Sequence, residues 1–247
     1  ARAGCSLSVV IPAYNEVARI GATVERVLAY LTGRWKHWEV LVVDDGSRDG
    51  TAALVKQLRP DETRLRVIAY SPNRGKGYAV RTGVLAAQGD LILFSDADLS
   101  APIEEIEKLV PPLLEGFHVA IGSRALRREL IAVRQSPLRE LAGQSFNLAL
   151  RVATGLRFRD TQCGFKLFRR EMVQQVFQRQ RIFTFGFDPE ILFLAKKFGF
   201  RAIEVPVRWA HSEGSKVRVL RDGLNMVLDL LRIRWNDLTG KYSGSVH

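Results

Sequence analysis

The chain has few cysteines and no long apolar run. Its 247 residues include only Cys5 and Cys163, which match neither a zinc-site spacing nor a disulfide framework. A reducing compartment is therefore the default expectation. No apolar stretch reaches the length of a membrane span, and the N-terminus shows no signal-peptide pattern. Proline and glycine are not abundant, so we expect no long disorder and one large folded domain.

Two common nucleotide-binding signatures are also missing. No Gly-x-Gly-x-x-Gly follows the first predicted strand, and Gly-x-x-x-x-Gly-Lys-Ser/Thr does not occur. A dinucleotide Rossmann site and a P-loop are therefore both poorly supported. The segment Gly75-Lys76-Gly77 could still bring backbone and a cation near a phosphate, and a plain turn at the start of a helix explains it about as well.

The charge of the chain is strongly one-sided, with a formal net charge of +11. Nucleic acid, an anionic membrane surface and phosphorylated substrates are all compatible with this excess. The basic residues do not alternate with aromatic residues in a nucleic-acid signature, so we expect no nucleic-acid partner. Several lie in the second half: Arg124, Arg127, Arg128, Arg134 and Arg139. Their clustering favours contact with lipid headgroups or phosphates.

Predicted strands and helices alternate along the first half. Apolar runs predict five strands, at 6–11, 39–43, 65–69, 91–94 and 119–122. Residues spaced three and four apart predict helices that reach about Leu31, Leu58, Ala87 and Leu114. This alternation predicts an α/β fold with a mostly parallel sheet and right-handed crossovers.

The second half has a less regular pattern. Residues 123–137 are basic with few structural signals and are predicted to form a mobile loop, and 138–152 an amphipathic helix. Further elements are predicted at 165–168, 171–177, 188–198, 202–207 and 219–235. The last helix carries an apolar stripe: Leu220, Leu224, Val227, Leu228, Leu231 and Trp235. We expect this stripe to pack against the sheet or a second subunit; the alternative is a membrane surface, with nearby arginines at the headgroups.

Two carboxylates follow the buried strand at 91–94. Asp96 and Asp98 are separated by one residue, and such side chains point the same way on an extended segment. Together they can bind one cation, and hard oxygen ligands at this edge of a parallel sheet suit Mg²⁺ or Mn²⁺ carrying a diphosphate. Taken alone, Asp-x-Asp is common, and the two acids could merely solubilise the strand end.

Four segments of the first half form an ordered set: Val9-Val-Ile-Pro12-Ala-Tyr14-Asn-Glu16, Val42-Val-Asp-Asp45-Gly-Ser47, Asn73-Arg-Gly-Lys76-Gly77 and Ser95-Asp96-Ala97-Asp98. This set resembles the inverting GT-A glycosyltransferases, which take a sugar from a nucleotide diphosphate. The resemblance implies a Rossmann-like sheet flanked by helices, with a C-terminal acceptor lobe. It divides one catalytic domain, 1–247, into a donor half at 1–123 and an acceptor half at 124–247.

Motifs of the second half narrow the resemblance: Gly122-Ser-Arg124, Asp160-Thr-Gln-Cys-Gly-Phe-Lys-Leu-Phe168, Phe187-Asp-Pro-Glu190, Val205-Pro-Val-Arg-Trp209 and Gly214-Ser-Lys216. They look like the dolichyl- and polyprenyl-phosphate sugar synthases. The segment 160–168 is most similar to the dolichyl-phosphate β-glucosyltransferase branch. Mannose synthases often place Gln two residues after the second Asp, where this chain has Ser100.

The resemblance also implies roles for single residues. The base and ribose would contact Pro12, Tyr14, Glu16 and Asp45, and the rest of the nucleotide sugar Lys76, Asp96, Ala97, Ser215 and Lys216. Asp98 would be the principal ligand of Mg²⁺ or Mn²⁺, with Asp96 beside it. For Ser215 and Lys216 an ordinary N-cap before the last helix is an equal alternative.

The acceptor side would depend on arginine. Arg124 and Arg139 are the candidates for holding an acceptor phosphate, because Arg suits bidentate phosphate contact. A lipid phosphate is already anionic at neutral pH and needs no strong general base. A hydroxyl acceptor would need one, and Asp160 and Asp188 are the acidic candidates.

The expected function is inverting transfer of glucose from UDP-glucose to dolichyl or polyprenyl phosphate. GDP-mannose as donor and a hydroxyl as acceptor remain alternatives, as does a basic binding module without catalysis. A processive enzyme is disfavoured because the chain lacks a Gln-x-x-Arg-Trp stretch. We expect a cytoplasmic location with peripheral contact at the cytoplasmic face of a membrane.

Overall fold

A computed structural model of the chain describes residues 4–126, 150–210 and 219–243. Seven strands form one mixed sheet: β1 (Leu7–Ala13), β2 (Trp38–Asp44), β3 (Leu65–Ala69), β4 (Leu91–Ser95), β5 (Val119–Ser123), β6 (Phe165–Arg169) and β7 (Ala202–Pro206). Their order is β3-β2-β1-β4-β6-β5-β7. β6 runs antiparallel to both of its neighbours, and the other pairings are parallel. The predicted mostly parallel sheet is confirmed.

Helices cover both faces of this sheet: α1 (Val17–Thr32), α2 (Thr51–Leu58), α3 (Lys76–Ala86), α4 (Ile106–Leu114), α5 (Arg170–Phe177), α6 (Phe187–Lys197) and α7 (Val219–Leu238). Alternate residues of β1 enter different cores: Val9 and Ile11 pack with α1 and α4, while Val10 packs with α3. A strand buried on both faces has no polar side, which is why the strands read as continuous apolar runs.

The first strand is longer than predicted. The predicted strand ends at Ile11, but β1 continues through Pro12 and pairs with β2 as far as Ala13. β4 pairs with β1 only over Leu7–Val10, so Pro12 lies where one side of the strand is no longer paired. Proline is tolerated at such a position because its missing N–H interrupts no ladder.

The last helix is oriented differently from the prediction. Among the α7 side chains that the structure describes, Leu230 and Ile233 are buried in the core, whereas Val227, Leu228, Leu231 and Trp235 of the predicted stripe are exposed. For these four residues the expected packing against the sheet is wrong, and contact with a second subunit or a membrane stays a prediction. No helix in the described ranges is long and apolar enough to cross a membrane. The predicted loop at 123–137 and helix at 138–152 lie largely outside the described residues.

Candidate active site

A cavity of about 400 Å³ opens at the carboxyl ends of β1, β2 and β4. β1 lies between β2 and β4, so the chain changes direction across the sheet here, where open α/β sheets bind ligands. The predicted donor and metal residues that the structure describes all line this cavity: Pro12, Tyr14, Glu16, Asp45, Lys76, Asp96, Ala97 and Asp98. Its size is in the range of small-molecule sites, roughly 300–1,000 Å³.

Asp45 shapes one wall of the cavity by holding the turn before α3. Its carboxylate accepts hydrogen bonds from the Arg74 and Gly75 amides, at 2.8 and 2.9 Å, and from the Asn73 side chain at 2.7 Å. Gly75 has a φ of +100°, a conformation that favours glycine. The turn places the N-terminus of α3 at the cavity, where the positive end of the helix dipole favours an anion.

Lys76 and Asp96 form an ion pair inside the cavity, with 2.7 Å between Nζ and Oδ1. The two side chains keep 26% and 31% of their surface exposed. Burial alone would lower the pKa of Lys76, but the carboxylates of Asp96, Asp188 and Asp98 raise that pKa above its usual value. Lys76 is therefore a protonated cation at neutral pH, placed beside two cavity carboxylates.

Asp96 and Asp98 share the cavity for a different reason than predicted. β4 ends at Ser95, and the segment that follows is a turn rather than an extended strand. Leu99 has a φ of +46°, and the Ser100 amide donates to Asp98 Oδ1 at 2.9 Å. The alternation argument was wrong in its geometry, although both carboxylates line the cavity.

The two carboxylates can supply only part of the ligands that a metal ion needs. The described residues include no cluster of three or more His, Cys, Asp or Glu side chains that could hold a metal. Mg²⁺ is commonly bound by one or two carboxylates together with substrate phosphates. Asp96 and Asp98 supply that donor set, and a diphosphate would have to complete it.

Gly164 lies directly against Asp96. A Cβ built on Gly164 would come within 1.9 Å of Asp96 Oδ2, and the Asp96 amide donates to the Gly164 carbonyl at 3.0 Å. A side chain at position 164 would displace the carboxylate. The sequence motif contained this glycine, but its contact joins β4 to the loop before β6 and becomes visible only in the fold.

Arg124 and Asp160 form a second ion pair at the end of β5. The Asp160 carboxylate accepts from Nε, Nη2 and the backbone amide of Arg124, at 2.7, 2.8 and 3.0 Å. Burial would raise the pKa of Asp160, but the Arg124 guanidinium holds it below its ordinary value. The Asp96 carboxylate is one of the groups that raise the pKa of Arg124. Arg124 itself is not one of the residues that line the cavity.

Glu204 and Trp209, for which the sequence predicted no role, contact this pair or its backbone. Glu204 of β7 accepts from the backbone amides of Arg159 and Asp160, both at 2.8 Å. The Arg124 guanidinium carbon lies 5.3 Å from the centroid of a Trp209 ring. Both residues follow from the pairing of β5 with β7, which the motif Val205-Pro-Val-Arg-Trp209 did not reveal.

A third pair lies behind the cavity. The Lys166 ammonium contacts the Asp188 carboxylate, and both side chains are buried. Burial raises the pKa of Asp188, although Lys166 acts in the opposite sense. The Phe94 ring lies near both lysines: its centroid is 5.5 Å from Lys76 Nζ and 5.7 Å from Lys166 Nζ. Asp188 does not line the cavity, and its link to the site is its carboxylate charge, which helps to raise the pKa of Lys76.

Three predicted residues cannot be placed. Arg139, Ser215 and Lys216 lie outside the described residues. The structure adds Phe185, Asn73 and Arg19 to the cavity lining, and Phe185 comes from the second half of the chain. A motif search of the first half had no signal that could find Phe185.

Known proteins are similar to this chain in sequence and in fold. The dolichyl-phosphate β-glucosyltransferase of Homo sapiens is 38% identical over 250 residues, covering 96% of this chain and 77% of the human protein. That of Saccharomyces cerevisiae is 35% identical over 254 residues, covering 96% and 76%. A crystal structure of Mycobacterium tuberculosis glucosyl-3-phosphoglycerate synthase with Mn²⁺, UDP and glucosyl-3-phosphoglycerate superposes with a TM-score of 0.71. It is 23% identical and covers 95% of this chain and 81% of the other.

The fold is of the GT-A type, as the first-half motifs implied. Residues 8–177, more than half of the chain, match the family described as glycosyl transferase family 2. These similarities support an enzyme over the alternative of a basic, non-catalytic binding module. The chain belongs to glycosyl transferase family 2.

Proposed function

We propose that this chain transfers glucose from UDP-glucose to dolichyl or another polyprenyl phosphate, with inversion at the anomeric carbon. One observation carries the proposal: a single cavity gathers the predicted donor and metal residues that the structure describes. The relatives that are 33–40% identical are dolichyl-phosphate β-glucosyltransferases. They favour glucose over the GDP-mannose alternative.

The donor nucleotide would occupy the side of the cavity at β1 and β2. The Tyr14 ring is 39% exposed and would pack on the uracil, while Glu16 would accept a ribose hydroxyl. Asp45 uses its carboxylate mainly to hold the turn at 73–75, and a remaining lone pair would accept a base N–H. Pro12 and Ala97 would form apolar walls.

The diphosphate would lie over α3 and the turn after β4. Asp98, together with Asp96, would hold a divalent cation there. When bound, such a cation neutralises the diphosphate and makes UDP a better leaving group. Asp96 must then exchange its contact with Lys76, and the Lys76 ammonium would turn to a phosphate oxygen. Ser215 and Lys216 remain proposed contacts on the donor side.

The acceptor phosphate would bind Arg124. Asp160 engages Nε and Nη2, so we propose that Nη1 donates to the phosphate, with Arg139 as a second contact. The phosphate oxygen is anionic at neutral pH and attacks the anomeric carbon without a base. The lowered pKa and three hydrogen bonds of Asp160 favour a positioning role over the base that a hydroxyl acceptor would require.

The proposal also concerns where the chain acts. We propose one catalytic domain over 1–247, with donor contacts mainly from 1–123 and acceptor contacts mainly from 124–247. A polyprenyl phosphate resides in a membrane, so the chain would contact that membrane peripherally, at its cytoplasmic face. The net charge of +11 favours anionic headgroups.

The test is a transfer assay with the purified chain, Mn²⁺, labelled sugar donor and dolichyl phosphate in detergent. We expect lipid-linked glucose from UDP-glucose, with a β linkage by NMR, and strong loss in Arg124→Gln. Product formed only from GDP-mannose, or UDP-glucose hydrolysed without a lipid product, would contradict the proposal.

A further inference from the structure

The outward face of α7 is an exposed apolar stripe. Five of the nine large hydrophobic side chains that are exposed in the described residues lie there: Val227, Leu228, Leu231, Trp235 and Leu238. Trp235 and Leu238 keep 64% and 74% of their surface exposed. Because successive helical residues rotate by about 100°, the five side chains share one sector about 100° wide.

The exposure of the stripe is not a result of loose attachment of the helix. The opposite side of α7 buries Leu230 and Ile233 in the core. Asp229 is also buried there and accepts a hydrogen bond from Thr184 at 2.6 Å. The helix is therefore fixed to the domain by one face and presents the other outward.

Arginines lie at both edges of the stripe. By helical rotation Arg234 lies about 20° beyond Val227, and Arg232 about 40° beyond Leu228 on the other side. Both are exposed and contact acids near the inner face, Arg232 with Asp229 at 2.8 Å and Arg234 with Asp237 at 3.5 Å. An apolar centre, a tryptophan and basic edges are the pattern of a helix that lies in a bilayer interface.

We propose that the outward face of α7 docks on a lipid bilayer, with the stripe among the acyl chains and Arg232 and Arg234 at the headgroups. This rests on the proposed function, because a polyprenyl acceptor is available only at a membrane. It assigns the membrane contact to one helix rather than to the diffuse basic charge of the second half.

A second copy of the chain fits this face less well. The stripe is about 17 Å long and about 10 Å wide, or roughly 200 Å², against roughly 800 Å² per partner in a standard interface. Both edges are basic, so a second copy would bring arginine toward arginine. A bilayer needs no such area and attracts the arginines through anionic headgroups.

The first test is flotation of the 247-residue chain with vesicles of phosphatidylcholine and phosphatidylserine. The variant Leu228→Ser/Leu231→Ser/Trp235→Ser should lose about 10²-fold in partitioning, because three half-exposed apolar groups no longer enter lipid. The matched control Leu114→Ser/Val152→Ser removes exposed apolar groups elsewhere and should bind as the wild type. Arg232→Gln/Arg234→Gln should lose about 5-fold per charge, and only with anionic vesicles.

Two further measurements separate the possible failures. Equal flotation of wild type and triple variant would overturn the proposal. So would sedimentation in which the wild type is a dimer and the triple variant is a monomer. A water-soluble short-chain prenyl phosphate tests catalysis without a membrane, and there the triple variant should keep the wild-type rate. An inactive wild type in that assay, combined with normal flotation, would refute the proposed function and leave the docking face standing.

Discussion

Two ion pairs of the proposed site, Lys76 with Asp96 and Arg124 with Asp160, differ in their contacts and in their burial. Lys76 and Asp96 share one contact of 2.7 Å, and each keeps about a quarter to a third of its surface exposed. Arg124 and Asp160 share three hydrogen bonds, and only 7% of the Asp160 side chain is exposed. The proposed function requires the first pair to exchange its partners when a ligand binds, whereas the second pair would stay in place.

The difference follows from the surroundings of each pair. Lys76 begins α3 at the open cavity, and because 26% of its side chain is exposed, solvent can compete for its hydrogen bonds. Asp160 is buried, and Glu204 holds its backbone as well. A charge that is removed from water needs a complete set of partners, so the buried pair cannot open cheaply. Each pair can be broken separately, and the predicted effects differ in kind.

Breaking the buried pair should have the largest effect. Asp160→Ala leaves the Arg124 guanidinium without its main partner in a largely buried place and should lower the free energy of unfolding by about 3 kcal/mol. Asp160→Asn keeps hydrogen-bond acceptance and should lose less. Denaturant unfolding monitored by circular dichroism measures both. A loss below about 1 kcal/mol in the alanine variant, the range of exposed pairs, would show that the pair is not structural.

Displacing Asp96 should come next. Gly164→Ala forces the Asp96 carboxylate to move, because the new Cβ would lie 1.9 Å from Oδ2. A misplacement of about 1 Å can cost about 10²-fold in rate, and we expect that loss in kcat/KM for UDP-glucose. Gly33→Ala is the matched control, since its φ of −84° suits alanine and no atom lies within 4 Å of the added Cβ. Equal activity of both variants would show that the space left by Gly164 does not position Asp96.

Glu190 differs from the two ion pairs because, among the described residues, its buried carboxylate has only neutral hydrogen-bond donors beside it. It accepts from Tyr242 Oη, at 2.6 Å, and from the backbone amides of Arg181 and Ile182. Burial raises its pKa from 4.5 to about 7. The folded state thus binds a proton more tightly, and stability should fall as pH rises through this window. We expect a loss of about 2 kcal/mol between about pH 5.5 and 7.

The variant Glu190→Gln should remove this pH dependence, because glutamine stays neutral throughout. Unfolding free energies of wild type and variant at several pH values provide the measurement. Asp160, whose pKa is lowered, loses its contribution only at more acidic pH and does not interfere. Parallel curves for the two proteins would show that Glu190 does not titrate in this window.

The exposed pair should give the smallest effect. Lys76→Gln removes one charged contact to a phosphate, and we expect about 10-fold weaker binding of UDP-glucose with little change in stability. Lys56→Gln, on the exposed side of α2, is the control for lost positive charge. Calorimetry measures the affinity, and equal losses in the two variants would point to general electrostatics instead.

The donor side was largely predictable from the sequence. Strands buried on both faces appear as apolar runs, and the polar residues that follow β1, β2 and β4 meet at one sheet edge by topology alone. The residues that hold those groups were not predictable. Gly164 meets Asp96, and Asp160 meets Arg124, only because β6 and β7 join the sheet beside β4 and β5.

The orientation of α7 shows a second limit of periodicity. The helix has apolar residues on two sides, with Leu230 and Ile233 on one and Leu228 and Leu231 on the other. The larger stripe was predicted to pack against the sheet or a second subunit, whereas the smaller apolar side is the one that faces the core. Periodicity locates apolar sides but does not choose between them; the side that faces the domain also carries Asp229, which accepts a hydrogen bond from Thr184.

The role proposed for Asp98 in metal-dependent binding of a nucleotide sugar can be measured by calorimetry. UDP-glucose is titrated, with and without Mn²⁺, into the wild type and into Asp98→Ala. We expect binding that requires Mn²⁺ in the wild type and is lost in the variant, while circular dichroism shows both proteins folded. Equal binding by the variant, or no binding by the wild type with Mn²⁺ present, would refute this role.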